Sequence, residues 1–360
     1  MLGFELNQIQ DSMPFLDLLH KVMNRGDLSA AEAQAAMQEI FRGEVSTPQI
    51  AAFLAALRVK GETAEELEGF ARAMRDGCVV IEHGITGEPV LDTCGTGGDG
   101  FATINVSTIA AFVASAAGVR VAKHGNRAVS SKSGSADVLE ALGVRIDVPP
   151  ARVAAAIREI GIGFLFAPAL HPAMKHAMPA RRELRTRTVF NLLGPLANPA
   201  RATVQVIGAP SAHDARLLAE ALARLGLAYG FVVHGEDGLD EVSITTSTVA
   251  YEVAGDTVTG RTFQPEDFGV PRSALDALRG GDAKHNAERA YAILQGESGP
   301  QRDIVVVNAA LAIYAAHPTA GVRGASLADG LLKCARIARE CIDSGAAAAK
   351  LQSFVAFNAR

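Results

Sequence analysis

Residues 90–100 read VLDTCGTGGDG, an apolar run that ends in a turn with four glycines in its last six residues. The run is typical of a buried β-strand, and glycine lets backbone N–H groups turn towards a bound anion without Cβ clashes. Such a concave array of N–H groups binds phosphate well, although a plain tight turn would look the same. The glycine spacing also matches the dinucleotide fingerprint G-x-G-x-x-G. That interpretation is disfavoured because the next helix starts late, near Val106, and Lys123 and His124 stand where a ribose-binding acid is expected.

Outward from this turn, strand-like and helical runs alternate along the chain. Strands are predicted at 90–92, 119–122, 164–166, 203–207 and 231–234, and helices at 106–118 and 212–225. This alternation predicts an α/β fold with a mostly parallel central sheet flanked by helices. The last third of the chain is expected to be largely helical, with its strongest helices at 304–316 and 327–341.

The first part of the chain predicts short helices with clear boundaries. Capping-box pairs occur at Ser29 and Glu32, at Ser46 and Gln49, and at Thr63 and Glu66. Residues 171–199 read as helices broken by prolines and are expected to pack on these first helices. We therefore predict a small all-helical domain of residues 1–86, joined by the insertion at about 171–199, and a larger α/β domain of residues 87–170 and 200–360.

The composition is that of an ordinary globular chain, with 49% hydrophobic and 20% charged residues. Its net charge of -5 shows no basic excess, which argues against a nucleic-acid partner. The first residues lack the pattern of a signal peptide, and no apolar run approaches the roughly 20 residues of a membrane span. The four cysteines form no C-x-x-C pair and are expected to be reduced thiols, so a cytoplasmic protein is predicted.

Two further segments carry hydrogen-bond donors at predicted helix or strand ends. Residues 105–108, NVST, open a helix whose first-turn N–H groups and hydroxyls suit a phosphate or a phosphate-bound metal; simple helix capping explains them equally well. Residues 123–131, KHGNRAVSS, follow the next strand, with Ser133 and Ser135 close behind, and a solvated loop is the alternative there. Because ligands of open α/β sheets bind beyond the carboxyl ends of strands, we predict a pyrophosphate site at this edge.

Charged residues further along the chain suit a cation and a carboxylate. Asp240 and Glu241 follow a predicted strand, and adjacent carboxylates beside a pyrophosphate site suit Mg²⁺; away from such a site they would be an exposed acidic turn. Residues 181–187, RRELRTR, hold four arginines. They either form a solvated face or supply one guanidinium group that binds a carboxylate. His171 and His176 are expected to have surface or capping roles rather than to bind metal.

Together these segments resemble the anthranilate phosphoribosyltransferase family, whose fold is similar to that of nucleoside phosphorylases. The likeness covers most of the chain and rests on five strings in order: DTCGTGGDG, NVST, KHGNRAVSSKSGSADVLEALG, RTVFNLLGPLANP and HGEDGLDEVS. It implies Mg²⁺-dependent transfer of the phosphoribosyl group from 5-phosphoribosyl 1-pyrophosphate to the amino group of anthranilate, in tryptophan biosynthesis. It also implies a homodimer joined through the helical domain.

The resemblance also implies roles for individual residues. Donor contacts are implied for Gly95, Gly98, Asp99, Thr103, Asn105, Val106, Ser107, Thr108, Lys123, His124, Gly125, Asn126, Arg127, Ala128, Val129, Ser130, Ser131 and Ser135. Gly95, Asn126 and Arg181 match the anthranilate-contacting positions, and Ser107, Asp240 and Glu241 match the metal positions. Lys123, His124 and Asn126 are the catalytic candidates, with His124 either removing a proton or steering the substrate.

One position departs from the family pattern, in which E-L-G-I-R-T follows the binding arginine. Residues 183–188 read ELRTRT, so Arg185 replaces a glycine and Thr186 an apolar residue, which bears on the backbone shape rather than on Arg181.

Two other functions stay open. One is a pyrimidine nucleoside phosphorylase, which uses phosphate without pyrophosphate-bound Mg²⁺, and the other is a non-enzymatic nucleic-acid-binding relative. The intact KHGN string and the Asp-Glu pair favour the transferase.

Overall fold

The structure, a computed structural model, describes residues 13–97, 100–128, 132–317 and 326–359. Five of the residues with implied donor contacts lie outside the described residues: Gly98, Asp99, Val129, Ser130 and Ser131.

Four helices open the described chain: α1 Phe15–Met23, α2 Ala30–Arg42, α3 Thr47–Lys60 and α4 Ala64–Asp76. The capping boxes predicted at Ser29 and Thr63 are present, because each hydroxyl accepts from the backbone N–H three residues later and the glutamate there accepts in return. At Ser46 the hydroxyl instead donates to the Gln49 side chain, which also accepts from the Ser46 N–H. The helix starts therefore form where the capping residues predict them.

One sheet of seven strands forms the centre of the larger part of the described chain. Its strands are β1 Val90–Gly95, β2 Arg120–Gly125, β3 Ile162–Phe166, β4 Val204–Gly208, β5 Tyr229–Gly235, β6 Thr248–Ala254 and β7 Thr257–Phe263, in the order β3-β2-β1-β4-β5-β6-β7. Strands β1 to β5 run parallel, which confirms the predicted sheet, whereas β6 and β7 pair antiparallel. The β6–β7 hairpin differs from the expected helical region; β7 is a largely exposed edge strand, and such strands carry a weak apolar signal.

The remaining helices include those that cover the two faces of the sheet. They are α5 Val106–Ala116, α6 Ser135–Ala141, α7 Pro150–Glu159, α8 Ala167–Leu170, α9 Met178–Leu184, α10 Phe190–Leu196, α11 Ala212–Arg224, α12 Ala283–Leu294, α13 Pro300–Ala316, α14 Leu327–Asp343 and α15 Ala346–Asn358. Because strand side chains alternate between faces, Phe231 and Val233 pack with α13 while Val232 packs with α11. In the part of the chain that the structure describes, no helix is long and apolar enough to cross a membrane.

The strand order reverses beside β1. From β1 the chain first builds β2 and β3 on one side and then β4 and β5 on the other, so β1 and β4 are neighbours at a topological switch point. In open α/β sheets a crevice forms beyond the carboxyl ends of the strands at this point. The segments that follow Gly95 and Gly208 are therefore the candidates for a binding site.

The segment between β3 and β4 packs back on the first helices. Helix α9 contacts α3, and α10 contacts α4. Ala180 and Phe190 from this segment lie in one buried apolar cluster with Phe53 and Phe70. These contacts support the division into residues 1–86 with about 171–199 and residues 87–170 with 200–360, which stays a prediction. The same cluster continues through α11 to Ile207 of β4, so the two parts share a core.

The backbone at Arg185 has the conformation that a glycine prefers. Arg185 follows the end of α9 with φ 47° and ψ 33°, in the left-handed region. A residue with a Cβ pays about 1–2 kcal/mol in this conformation. Arg185 therefore keeps the backbone conformation of the glycine that the family has at this position, and its Cβ adds strain.

We expect Arg185→Gly to raise the free energy of unfolding by about 1 kcal/mol, because glycine removes the Cβ clash. Urea unfolding of the variant and the unchanged protein measures the difference. Arg182→Gly is the matched control, since Arg182 is also exposed but lies inside α9. There glycine is expected to lower stability by about 1 kcal/mol. Destabilisation of similar size by both variants would contradict the strain at Arg185.

Candidate active site

The acidic pair after β5 reaches the segments that follow β1. The backbone N–H of Gly97 donates to Asp240 Oδ2 at 2.9 Å, and the backbone N–H of Ser107 donates to Glu241 Oε1 at 3.1 Å. Ser107 lies in the first turn of α5, where N–H groups attract negative charge. The structure thus brings the glycine-rich turn, the NVST segment and the acidic pair into direct contact.

Two glycines at strand ends make room for Asp240. A Cβ on Gly95 would lie 2.5 Å from Asp240 Oδ2, and a Cβ on Gly208 would lie 1.6 Å from the Asp240 carbonyl oxygen. The two glycines are partners in the β1–β4 pairing. A side chain at either position would therefore push Asp240 away from the switch point.

Lys123 provides a buried positive charge at the end of β2. Its Nζ donates to the carbonyl oxygen of Thr93 and, at 3.3 Å, to Ser107 Oγ. Burial lowers the pKa of Lys123, and the attraction of the neighbouring Asp92 carboxylate opposes this lowering. The ammonium group is thus held beside the first turn of α5, where it adds to the attraction for an anion.

Asp92 is fully buried in β1 and connects β2 to the segment before β4 by hydrogen bonds. One carboxylate oxygen accepts from the His124 N–H at 3.0 Å, and the other accepts from Asn198 Nδ2 at 2.8 Å. Asn198 Nδ2 also donates to the carbonyl oxygen of Ala122 at 2.9 Å. Burial raises the pKa of Asp92, while Lys123 acts in the opposite direction. Neither Asp92 nor Asn198 is among the predicted site residues, although Asp92 lies in the DTCGTGGDG string and Asn198 in the RTVFNLLGPLANP string.

His124 forms a buried pair with His171. His124 Nδ1 lies 3.1 Å from the carbonyl oxygen of Gly194, and the two Nε2 atoms lie 3.2 Å apart. A carbonyl oxygen only accepts, so Nδ1 of His124 carries the proton and His171 donates from its Nε2. Burial lowers the pKa of His124 to about 3 and that of His171 to about 4, so both rings are neutral near pH 7.

The expected surface or capping role of His171 is wrong. His171 is buried because the segment after β3 folds over the end of β2. His176 is half-buried at the end of a 3-10 helix, Pro172–His176, and lies against Gly43.

Both ring nitrogens of His124 are bonded to protein groups, and this geometry favours a steering role over proton removal.

The start of α5 is fixed by side-chain amides rather than by a capping bond. Asn105 Nδ2 donates to the Ser133 carbonyl oxygen at 3.1 Å, and Asn105 Oδ1 accepts from Asn286 Nδ2 at 2.8 Å. Asn105 makes no side-chain bond to the first turn of α5. Thr103 pairs with Arg279 in an isolated β-bridge. Asn286 is buried on α12, and no pattern in the sequence indicates that it contacts the start of α5.

The segment after β2 is anchored to the start of α6. The Asn126 carbonyl oxygen accepts from Ser135 Oγ at 3.3 Å. The Arg127 guanidinium pairs with Asp137 at 3.2 Å and also with Glu140. Arg127 therefore places its charge on α6.

Two of the four clustered arginines contact other parts of the fold. The guanidinium carbon of Arg181 lies 5.2 Å from the centroid of the Phe190 ring, and burial lowers the pKa of Arg181. Arg187 donates to the Gly97 carbonyl oxygen at 2.6 Å and so links the helical insertion to the glycine-rich turn. The other two arginines are exposed. The cluster is therefore not simply a solvated face.

The ligand types present fit Mg²⁺ bound together with a phosphate. Within the described ranges, no three His, Cys, Asp or Glu side chains gather into a metal cage. Mg²⁺ typically takes one or two carboxylates and completes its shell with phosphate oxygens and waters. A carboxylate offers about four lone-pair sites, so a backbone N–H and a metal ion can share the Asp240 or Glu241 carboxylate.

Comparisons with known proteins first give the class. Residues 16–78 match the helical bundle domain of a glycosyl transferase family, and residues 87–348 match its a/b domain. The solved anthranilate phosphoribosyltransferase from Thermus thermophilus has a TM-score of 0.88 at 45% identity, covering 96% of this chain and 100% of that one. The enzyme from Saccharomyces cerevisiae in complex with PRPP and Mg has a TM-score of 0.85 at 28% identity, covering 96% and 98%.

Sequence relatives then give the family. An anthranilate phosphoribosyltransferase from Solibacter usitatus is 55% identical over 347 residues, which is 96% of this chain and 99% of that protein. One from Moorella thermoacetica is 51% identical over 340 residues, 94% and 97% of the two chains. The chain belongs to the anthranilate phosphoribosyltransferase family. The resemblance inferred from the five strings is confirmed.

Proposed function

We propose that the chain transfers the 5-phosphoribosyl group from 5-phosphoribosyl 1-pyrophosphate to the amino group of anthranilate, giving N-(5-phosphoribosyl)anthranilate and pyrophosphate in tryptophan biosynthesis. The contact of the Gly97 and Ser107 N–H groups with Asp240 and Glu241 carries the proposal. It gathers the glycine-rich turn, the start of α5 and cation-binding carboxylates at one switch point. Relatives from yeast solved with PRPP and Mg and with 4-fluoroanthranilate support both substrates, and neither rival function gains support.

The donor is assigned to the turn after β1, the start of α5 and the segment after β2. Negative charge grows on the pyrophosphate as it leaves, and preorganised donors lower the barrier by stabilising that charge. Lys123 and the positive end of the α5 dipole are placed for this task. The side chains of Val106 and Thr108 are buried, and their backbone N–H groups donate to the carbonyl oxygens of Ile104 and Asn105. These two residues therefore shape the start of α5.

The metal is assigned to Asp240, Glu241 and Ser107. When bound with the donor, Mg²⁺ supplies positive charge next to the leaving pyrophosphate. The chain contributes a fixed position for the two carboxylates, through the N–H groups of Gly97 and Ser107. Lys123 limits the repulsion between these carboxylates and the incoming phosphates, because its charge lies beside Ser107.

The acceptor is assigned to Arg181 and Asn126. A half-buried guanidinium attracts the anthranilate carboxylate more strongly than a solvated one, since the local dielectric constant is lower. Asn126 orients the ring so that the amine faces the anomeric carbon opposite the leaving pyrophosphate, and attack proceeds with inversion. An aromatic amine loses its proton easily once the new bond has formed. A strong base is therefore unnecessary, and His124 is assigned to positioning.

Arg181→Ala is expected to raise the KM for anthranilate about 10- to 100-fold, because a charged hydrogen-bonded pair contributes about 1.5–3 kcal/mol. The KM for the donor should change much less. Steady-state kinetics with each substrate varied in turn measure both constants. The exposed neighbour Arg182→Ala is the control and should behave as the unchanged protein. Equal effects of Arg181→Ala on both substrates would count against the assigned role.

Turnover can be followed through the loss of anthranilate fluorescence, which should require both the donor and Mg²⁺. We expect the double variant Asp240→Asn with Glu241→Gln to lose Mg²⁺-dependent turnover, because neutral amides bind Mg²⁺ poorly. Asp256→Asn, an exposed acid in the turn between β6 and β7, is the control and should keep it. If the double variant retained Mg²⁺-dependent turnover, the metal assignment would be wrong.

A homodimer through the helical domain is proposed from the exposed apolar side chains. Seven large apolar side chains are exposed among the described residues, and four of them lie on or just before two neighbouring helices, α1 and α3. These are Met13, Leu16, Met23 and Val59, with exposed fractions of 43%, 48%, 60% and 71%. Large apolar side chains exposed on neighbouring elements favour contact with another protein surface. A second copy of the chain is the proposed occupant.

The double variant Leu16→Glu with Val59→Glu is expected to sediment as a monomer, because burying two unpaired carboxylates opposes association. Analytical ultracentrifugation of the variant and the unchanged protein provides the comparison. Leu332→Glu, at an exposed apolar residue on α14, should leave the dimer intact. An unchanged protein that sediments as a monomer at micromolar concentration would exclude the dimer.

A cytoplasmic location is proposed from the cysteines. All four are free thiols in the structure, as the sequence predicts. Burial raises the pKa of Cys78, Cys334 and Cys341, and that of Cys94 lies well above its usual value, so the thiols are protonated and unreactive near pH 7. Free thiols are typical of proteins from a reducing compartment.

A further inference from the structure

Asn308 places a polar amide in the middle of the most deeply buried helix described here. Every residue of α13 from Ile304 to Ala316 is buried, and Asn308 is surrounded along the helix by aliphatic side chains. A buried amide is unfavourable unless its donors and acceptor find partners. Asn308 satisfies all of them, and two of its three hydrogen bonds leave the helix.

Both bonds that leave the helix go to the backbone of Val242. The Val242 N–H donates to Asn308 Oδ1 at 2.9 Å, and Asn308 Nδ2 donates to the Val242 carbonyl oxygen at 3.0 Å. The other N–H of the amide donates to the Ile304 carbonyl oxygen at 2.9 Å, within α13. The side chain therefore pairs with Val242 as a neighbouring β-strand would.

This pairing compensates for the missing strand partner of Val242. Residues 236–247, between β5 and β6, form neither helix nor strand. Val242 is nevertheless buried, so its N–H and carbonyl groups cannot turn to solvent. By bonding both groups, Asn308 fixes the peptide that directly follows Glu241.

Asn308 and two of the three predicted metal residues also line one cavity. Asn308, Glu241 and Ser107 line a small cavity bounded by the ends of β1 and β4 and by α5 and α13. Glu241 is therefore held at two points. The Ser107 N–H holds its carboxylate at 3.1 Å, and Asn308 holds its following peptide.

We propose that Asn308 is a positioning residue that sets the Asp240–Glu241 pair in the geometry needed to bind Mg²⁺ with the donor pyrophosphate. The inference rests on the metal role proposed above for these carboxylates. Partners that orient metal ligands typically change metal affinity by about 10- to 100-fold when removed. A purely structural amide would instead affect stability and leave metal affinity unchanged.

The test measures Mn²⁺ binding by electron paramagnetic resonance, on the full chain in the presence of inorganic pyrophosphate. Asn308→Leu is close in size and removes all three bonds. We expect Mn²⁺ affinity to fall about 10-fold or more, with a matching rise in the Mg²⁺ concentration for half-maximal turnover. The KM for anthranilate should stay unchanged, because no bond of Asn308 involves the acceptor residues.

Asn358→Leu is the matched control. Asn358 is equally buried on α15, and its Nδ2 donates to the Phe354 carbonyl oxygen at 3.0 Å within that helix. It should lose stability and keep Mn²⁺ affinity. If Asn308→Leu does not fold, Asn308→Ser decides the question, because the smaller side chain leaves room for a water molecule at Val242. The same loss of affinity is expected for it.

Two results would overturn the inference, and they are distinguishable. If Asp240→Asn with Glu241→Gln loses Mn²⁺ while the Asn308 variants bind it as Asn358→Leu does, the positioning role alone is wrong. If the double carboxylate variant binds Mn²⁺ as the unchanged protein does, the metal assignment fails and the inference fails with it.

Discussion

The site depends on two backbone N–H groups that hold two adjacent carboxylates. Neighbouring negative charges repel each other, and here the N–H of Gly97 and the first-turn N–H of Ser107 offset that repulsion. The bonds connect the segments after β1 and β5, which are far apart in the chain. They form because β1 and β4 are neighbours at the switch point and because Gly95 and Gly208 carry no Cβ. Removing either condition would separate the predicted donor and metal sites.

A buried network beneath these carboxylates gives the site its rigidity. Asp92 bonds the His124 N–H and Asn198, and Lys123 bonds the Thr93 carbonyl oxygen and Ser107. Each charge is unfavourable in an apolar interior, and their mutual attraction together with these hydrogen bonds makes the burial tolerable. The network fixes the end of β2 relative to β1. Donor groups are thus held in place before the substrate arrives, which is the condition for effective electrostatic stabilisation.

The helical part contributes through its position over the ends of the strands. Its apolar cluster continues into the sheet through α11, so it is anchored to the α/β part by a shared core. From this position Arg187 reaches the Gly97 carbonyl oxygen and His171 reaches His124. The glycine-rich turn therefore bonds the insertion through its carbonyl oxygen and the acidic pair through its N–H. Arg181 lies on the same insertion, which supports an acceptor site between the two parts.

Local patterns in the sequence were enough to determine the five parallel strands, many of the helices and the residue types of the loops. Capping residues determined where α2 and α4 begin, and buried apolar runs determined the five parallel strands. Glycine and donor-rich strings indicated the segments that are proposed to bind phosphate. Only the tertiary structure decided which distant groups meet: the β6–β7 hairpin against β5, His171 on His124, Asn198 on Asp92, and Asn308 on Val242. The physical reason is that hydrophobic periodicity and capping act within a few residues. A buried polar side chain, in contrast, is satisfied by whichever group the fold brings to it, and no spacing in the sequence records that partner.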